Sequence, residues 1–142
     1  MKLVQQLLDS KGGEIFSIVQ DASVFDAIKL MADRAVGSLL VMEGDELKGI
    51  VTERDYARKV IIQGRSSEST PVADIMTTEL VTASPTQSVS DCMTLMSERR
   101  IRHLPVVIDG KVVGLISIGD LVQAIILDQK EEIEQLGSYI SG

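Results

Sequence analysis

Apolar and polar positions follow two rhythms along this chain, and the rhythms recur in the same order twice. Short apolar runs, IFSI (15–18) and LVTA (80–83), predict strands. Each is followed by apolar positions at helical spacing: Val24, Ala27, Ile28 and Met31, then Val89, Cys92, Met93 and Met96. Ser23 with Asp26, and Ser88 with Asp91, have the spacing of a capping box at the two helix starts. Two more apolar runs follow in each case. LLVM (39–42) and LKGIV (47–51) flank Glu43-Gly44-Asp45-Glu46, and LPVVI (104–108) and VVGLI (112–116) flank Asp109-Gly110-Lys111. Asp-Gly between such runs is a strong hairpin signal. A second helix is expected from Thr52 and from Ser117. The order β-α-β-β-α therefore occurs twice.

Sliding the chain by 65 positions aligns residues 15–61 with 80–126 without a gap, and eleven of the 47 pairs are identical, among them Ser23/Ser88, Leu39/Leu104, Gly49/Gly114 and Asp55/Asp120. Upstream, VQQLL (4–8) loosely matches VADIM (72–76), with three extra residues in the first copy. The expected organisation is a first copy with an N-terminal helix at 1–62 and a linker at 63–71 (QGRSSESTP). The second copy is expected at 72–127, with a C-terminal helix extension and tail at 128–142. The last helix is expected to continue through DQKEEIEQL to a C-cap at Gly137.

The sharpest local feature is a strand-to-helix motif, Gly-h-h-[Ser/Thr]-x-x-Asp, where h is aliphatic. It occurs as Gly49-Ile50-Val51-Thr52-Glu53-Arg54-Asp55 and as Gly114-Leu115-Ile116-Ser117-Ile118-Gly119-Asp120. Two readings stand side by side. Thr52/Asp55 and Ser117/Asp120 fit capping boxes. Equally, a hydroxyl at a helix N-terminus can donate to phosphate, and an Asp one turn on can accept from the two hydroxyls of a ribose. The glycine permits close approach of a ligand or of another backbone.

Composition narrows the chemistry. The chain has 142 residues, 44% of them apolar, and a net charge of −7, which fits a folded globular protein. With no Trp, two Tyr and two Phe, the core must be aliphatic. The acidity disfavours broad binding to nucleic acid or an anionic membrane. One Cys and one His exclude an internal disulfide and are too few for a structural zinc site without carboxylates. No stretch approaches the ~20 apolar residues of a membrane span, and the N-terminus turns polar too early for a secretory signal. A cytoplasmic location is expected.

Two β-α-β-β-α copies, each closing on this motif, resemble a tandem pair of cystathionine β-synthase (CBS) domains, a Bateman module. The stretches 49–60, 72–89 and 100–122 carry the resemblance, which covers residues 1–128. It implies an α+β fold with the copies packed about a pseudo-two-fold axis, leaving clefts that commonly hold AMP, ADP, ATP, NAD(H) or S-adenosylmethionine. The ribose-binding aspartate falls on Asp55 and Asp120, and the phosphate-side hydroxyl on Thr52 and Ser117. The adenine positions fall on Ser17 and Ile18 with Leu39 and Leu40, and on Thr82 and Ala83 with Leu104 and Pro105. Members typically dimerise through their helices, so a homodimer and a regulated partner protein are expected.

Phosphate needs positive charge, and the copies differ there. Arg99, Arg100, Arg102 and His103 stand just before the strand 104–108, where the first copy has Arg34, Ala35, Gly37 and Ser38. Conversely, Arg54 and Arg58 are replaced in the second copy by Gly119 and Gln123. Arg54, Arg100, Arg102 and His103 are the candidate phosphate-side groups; a solvated helix end is the plainer alternative for the arginine cluster. Gly64-Arg65-Ser66-Ser67 reads either as linker or as a phosphate-contacting loop. Cys92 reads as a small core residue. No nucleophile–base pair, metal set or nucleotide-loop fingerprint is legible, so the chain reads as a non-enzymatic module sensing energy or redox state. The alternative is a dimeric scaffold with vestigial clefts.

Overall fold

The computed structural model describes the backbone of residues 2–12 and 14–141 and the side chains as far as 138. It divides into two compact units, Ile15–Val81 and Met1–Glu14 with Thr82–Gly142. These are not the copies that the 65-residue shift delimits. Each unit takes the body of one copy and the leading segment of the other.

In the unit Ile15–Val81, β1 (Ser17–Ile18) lies parallel to β2 (Ser38–Glu43), which pairs antiparallel with β3 (Glu46–Thr52). α2 (Val24–Arg34) starts where Ser23 accepts from the Asp26 N–H, at 3.1 Å. It stops at Ala35, which turns left-handed with φ 54°. Val24, Ala27 and Met31 face Leu39, Val41 and Val51 across the aliphatic core that the scarcity of aromatics requires. The chain leaves β3 through a single helical turn, α3 (Glu53–Tyr56), which widens into a π turn over Ala57–Ile61.

Residues 63–71, which join the two copies, are held against the start of α2. Thr70 is 2% exposed, its hydroxyl donates to the Ser66 carbonyl at 2.6 Å, and the Val24 and Phe25 N–H groups donate to the carbonyls of Thr70 and Ser67. The segment beyond it closes the core. Val72 and Ile75 are fully buried, and Thr77 exchanges backbone hydrogen bonds with Ile50 at 2.8 and 3.0 Å.

The second unit repeats the plan. α4 (Val89–Arg99), capped by Ser88, precedes an antiparallel ladder of β4 (His103–Ile108) and β5 (Lys111–Ser117). Asp109 and Gly110 both have positive φ, as a type I′ hairpin needs. Its closing segment is α1 (Val4–Lys11), which buries Val4, Leu7 and Leu8. The Val4 and Gln5 N–H groups donate to the carbonyls of Gln87 and Pro85, and that of Val89 donates to Lys2. Three buried aliphatic side chains contribute about 1.5–3 kcal/mol each before entropy is charged against them.

Two expectations need correction. LVTA (80–83) forms no strand: only Ala83 bridges, to Val106. In the first unit the Leu40 N–H donates to the Phe16 carbonyl at 3.2 Å, but the matching residue is Pro105, which has no N–H to donate. The last helix, α5 (Ile118–Ser141), also runs through Gly137 rather than ending there. A glycine inside a helix costs only about 1 kcal/mol relative to alanine, and no proline follows it.

Candidate functional site

The two motifs fold into the same corner. Gly49 and Gly114 lie one residue from a bulge in their hairpins, opposite Val41 and Val106. A side chain at either would collide with the closing segment. A Cβ on Gly49 would stand 2.7 Å from the Thr77 carbonyl oxygen, and one on Gly114 would meet a Leu8 methyl. What approaches these glycines is the leading segment of the other copy.

At the end of each long strand the hydroxyl residue becomes the helix cap. The Asp55 N–H donates to Thr52 Oγ1 at 3.1 Å, and the Thr52 N–H donates to Asp55 Oδ2 at 3.0 Å. Ser117 and Asp120 make the same pair of bonds at 3.1 and 2.8 Å. The capping reading is thus realised in both copies. The Asp120 side chain remains 26% exposed and that of Asp55 12%.

Each aspartate also carries a lysine. Lys59, one turn further along, stands 3.2 Å from Asp55 Oδ1 and donates to the Ile75 carbonyl. Lys11, from α1, donates to Asp120 Oδ2 at 2.5 Å and to the Leu115 carbonyl at 2.7 Å. Burial of Asp120 works to raise its pKa, but the Lys11 hydrogen bond, the Ser117 N–H and the Lys11 charge together hold it below the ordinary carboxylate value. Sequence reasoning missed Lys11, because nothing local joins positions 109 residues apart in the chain.

The remaining candidates group around these corners. Ser38 pairs with Thr52, and His103 with Ser117, across the ladder ends. The first N–H of α5, at Ile118, donates to the Arg102 carbonyl at 2.8 Å, just as that of Glu53 donates to Gly37. Arg102, His103, Ser117 and Asp120 therefore share one end of the β4–β5 ladder, with the Arg102 side chain exposed. Arg100 occupies the left-handed cap of α4, with φ 54°. Arg54 is exposed on α3 beside Thr52.

Ser17 is exposed and Ile18 half-buried on the edge strand β1, and Thr82 is exposed beside the Ala83 bridge. Ala83 and Pro105 are buried, joined through the Ala83 N–H and the Pro105 carbonyl at 2.8 Å. The Leu39 side chain is fully buried in one cluster with Val24, Met31 and Val51, so what this position offers a ligand is its backbone.

Arg65 of the 64–67 loop is engaged by Asp74 at 2.7 Å, so its charge is already answered. Cys92 is fully buried, and that burial pushes its thiol pKa up. A hollow of about 310 Å³ opens between α2 and α3, lined by Met31, Ala32, Val36, Gly37 and Glu53. None of the expected binding residues lines it. Among the described residues no helix is long and apolar enough to cross a membrane, and no three His, Cys, Asp or Glu side chains gather as a metal site.

The CBS-domain family model matches residues 11–62 and 72–127. The chain belongs to that family, as a tandem pair of CBS domains. It is 45% identical over 148 residues to the mitochondrial CBS domain-containing protein CBSX3 of Arabidopsis thaliana, covering 98% of this chain and 72% of that one. A putative signal-transduction protein with CBS domains from Burkholderia ambifaria superposes with a TM-score of 0.87 at 52% identity, covering 90% of this chain and 96% of the other. The CBS domain pair of protein MJ0100, solved in complex with 5′-methylthioadenosine and S-adenosyl-L-methionine, superposes with a TM-score of 0.78 at 26% identity, covering 88% and 96%.

Proposed function

We propose that this protein is a regulatory module that binds an adenosine nucleotide (AMP, ADP, ATP or NAD(H)) and, according to its occupancy, modulates a partner protein. The observation that carries this reading is the duplicated corner. In both copies a hydroxyl and an aspartate are fixed three residues apart at a strand-to-helix junction, and the aspartate is not wholly buried. An aspartate so held can accept from a ribose diol, with the hydroxyl and nearby helix N–H groups facing the phosphate end. Arg54 on one motif and Arg102 with His103 on the other supply charge for phosphate. The adenosine compounds bound by the MJ0100 pair support the ligand class. The assignment is to binding rather than catalysis, in a reducing compartment such as the cytoplasm, which suits a lone buried thiol.

Melting curves with AMP, ATP, NAD(H) and S-adenosylmethionine test the reading, because a ligand of the native state must raise apparent stability. At least one is expected to raise Tm, and Asp120→Ala or Asp55→Ala to abolish that gain. No shift with any of the four, together with a single assembled species, would favour the second reading of a homodimeric scaffold. That alternative draws support from α5, where Val122, Ile126, Ile133 and Leu136 are exposed at helical spacing.

A further inference from the structure

The two lysines that hold the motif aspartates do not correspond to each other. The 65-residue shift places Ala124 opposite Lys59. The closing segments are related by 68 residues, since Leu3 and Pro71 make the equivalent bridges to Ser88 and Ser23. That places Glu79 opposite Lys11. Yet each lysine does the same two things: it pairs with the motif carboxylate and donates to a backbone carbonyl, Leu115 for Lys11 and Ile75 for Lys59.

In both units the pair ties the motif to the closing segment. In the first unit the lysine sits on the motif helix and the carbonyl on the closing segment. In the second the lysine belongs to the closing segment, α1, and the carbonyl to β5. The consequence differs. Releasing Lys59 leaves Thr77 and Ile50 still exchanging two backbone hydrogen bonds. Lys11 is the last residue of α1, and its two bonds stand there beside the packing of the buried Leu7 and Leu8.

Asp120 Oδ2 already accepts from both Lys11 and the Ser117 N–H. A ribose hydroxyl directed at that oxygen would compete with the ammonium for it. We propose that Lys11 is a built-in competitor at the second motif: nucleotide binding to Asp120 displaces the Lys11 ammonium and releases the C-terminal end of α1. This rests on the nucleotide reading above and names its regulation. α1 leads directly into β1 of the other unit, so occupancy of one motif is passed to a segment covalently joined to the other copy. A competitor of this kind lowers apparent affinity by the fraction of time that it holds the site.

The test is calorimetric titration of the full chain with AMP, beside amide exchange of residues 8–12. Asp120→Asn is expected to remove AMP binding at this motif. Lys11→Met and Lys11→Gln, which keep most of the stem without the charge, are expected to tighten binding about three- to five-fold, the range open to a partly exposed pair. AMP should speed exchange at the end of α1 several-fold in the native protein. In both Lys11 variants that exchange should be fast from the outset and indifferent to AMP. Binding that Asp120→Asn abolishes but that both Lys11 variants leave equal or weaker overturns the latch while sparing the nucleotide reading. AMP binding indifferent to Asp120→Asn, or no AMP binding, overturns the latch alone; the nucleotide reading falls only when ADP, ATP and NAD(H) fail to bind as well.

Discussion

Asp120 is the residue on which structure and proposed chemistry meet. Its carboxylate caps α5, holds Lys11 and is partly exposed. Its pKa lies below the ordinary value despite partial burial, so the folded protein takes up this proton at lower pH than the unfolded chain does. Wherever the two states differ, the unfolded state binds more protons and stability falls as pH falls. The contribution is complete above about pH 4, the ordinary carboxylate value, and is lost as pH drops through the lower folded value. Asp120→Asn should cost about 1 kcal/mol at neutral pH, from the weakened cap and lost ion pair. It should also flatten the acid limb of a plot of Tm against pH. An unchanged acid limb would mean that Lys11 does not hold the carboxylate.

At the scale of elements, the glycine of each motif reports on what crosses it. A Cβ on Gly49 would stand 2.7 Å from a backbone carbonyl oxygen, whereas one on Gly114 would meet the end of a flexible leucine. A carbonyl in a paired bridge cannot step aside without breaking its hydrogen bonds, but a leucine methyl can rotate away. Gly49→Ala is therefore expected to cost about 1–3 kcal/mol, the usual range for overpacking, and Gly114→Ala markedly less. Urea denaturation of the two variants decides this, and equal losses would refute it. The hairpins, caps and helices around these glycines were legible in local pattern: Ser23 and Ser88 cap as their spacing predicts, and Asp109-Gly110 turns as its sequence predicts. The loss of the strand at 80–83 was legible only in part. The missing N–H of Pro105 is visible in sequence, but its effect needs the knowledge that Val81 would have been its partner.

Across the whole molecule the exchange of leading segments makes the halves unequal. One unit is a continuous stretch, Ile15–Val81, and the other is assembled from both ends of the chain. A fragment spanning 15–81 carries every core residue of its unit, including Val72 and Ile75. It is expected to keep slow amide exchange in β2 and β3. A fragment spanning 82–142 lacks Val4, Leu7 and Leu8, and should gain protection in β4 and β5 only when a peptide of residues 1–14 is added. Protection in the shorter fragment without that peptide would show α1 to be dispensable to its core.

The repeat, the helix-then-hairpin order within each copy, the aliphatic core and the capping pairs Thr52/Asp55 and Ser117/Asp120 follow from the sequence alone. They are local patterns, of period 2 or 3.6 and of residues three apart, or identities seen by sliding the chain along itself. The tertiary structure decided which leading segment closes which core, that the Leu39 side chain is buried in that core, and that Lys11 reaches Asp120. These depend on contacts between positions tens of residues apart, set by which apolar faces can bury each other, and one chain carries no record of that choice in its local pattern.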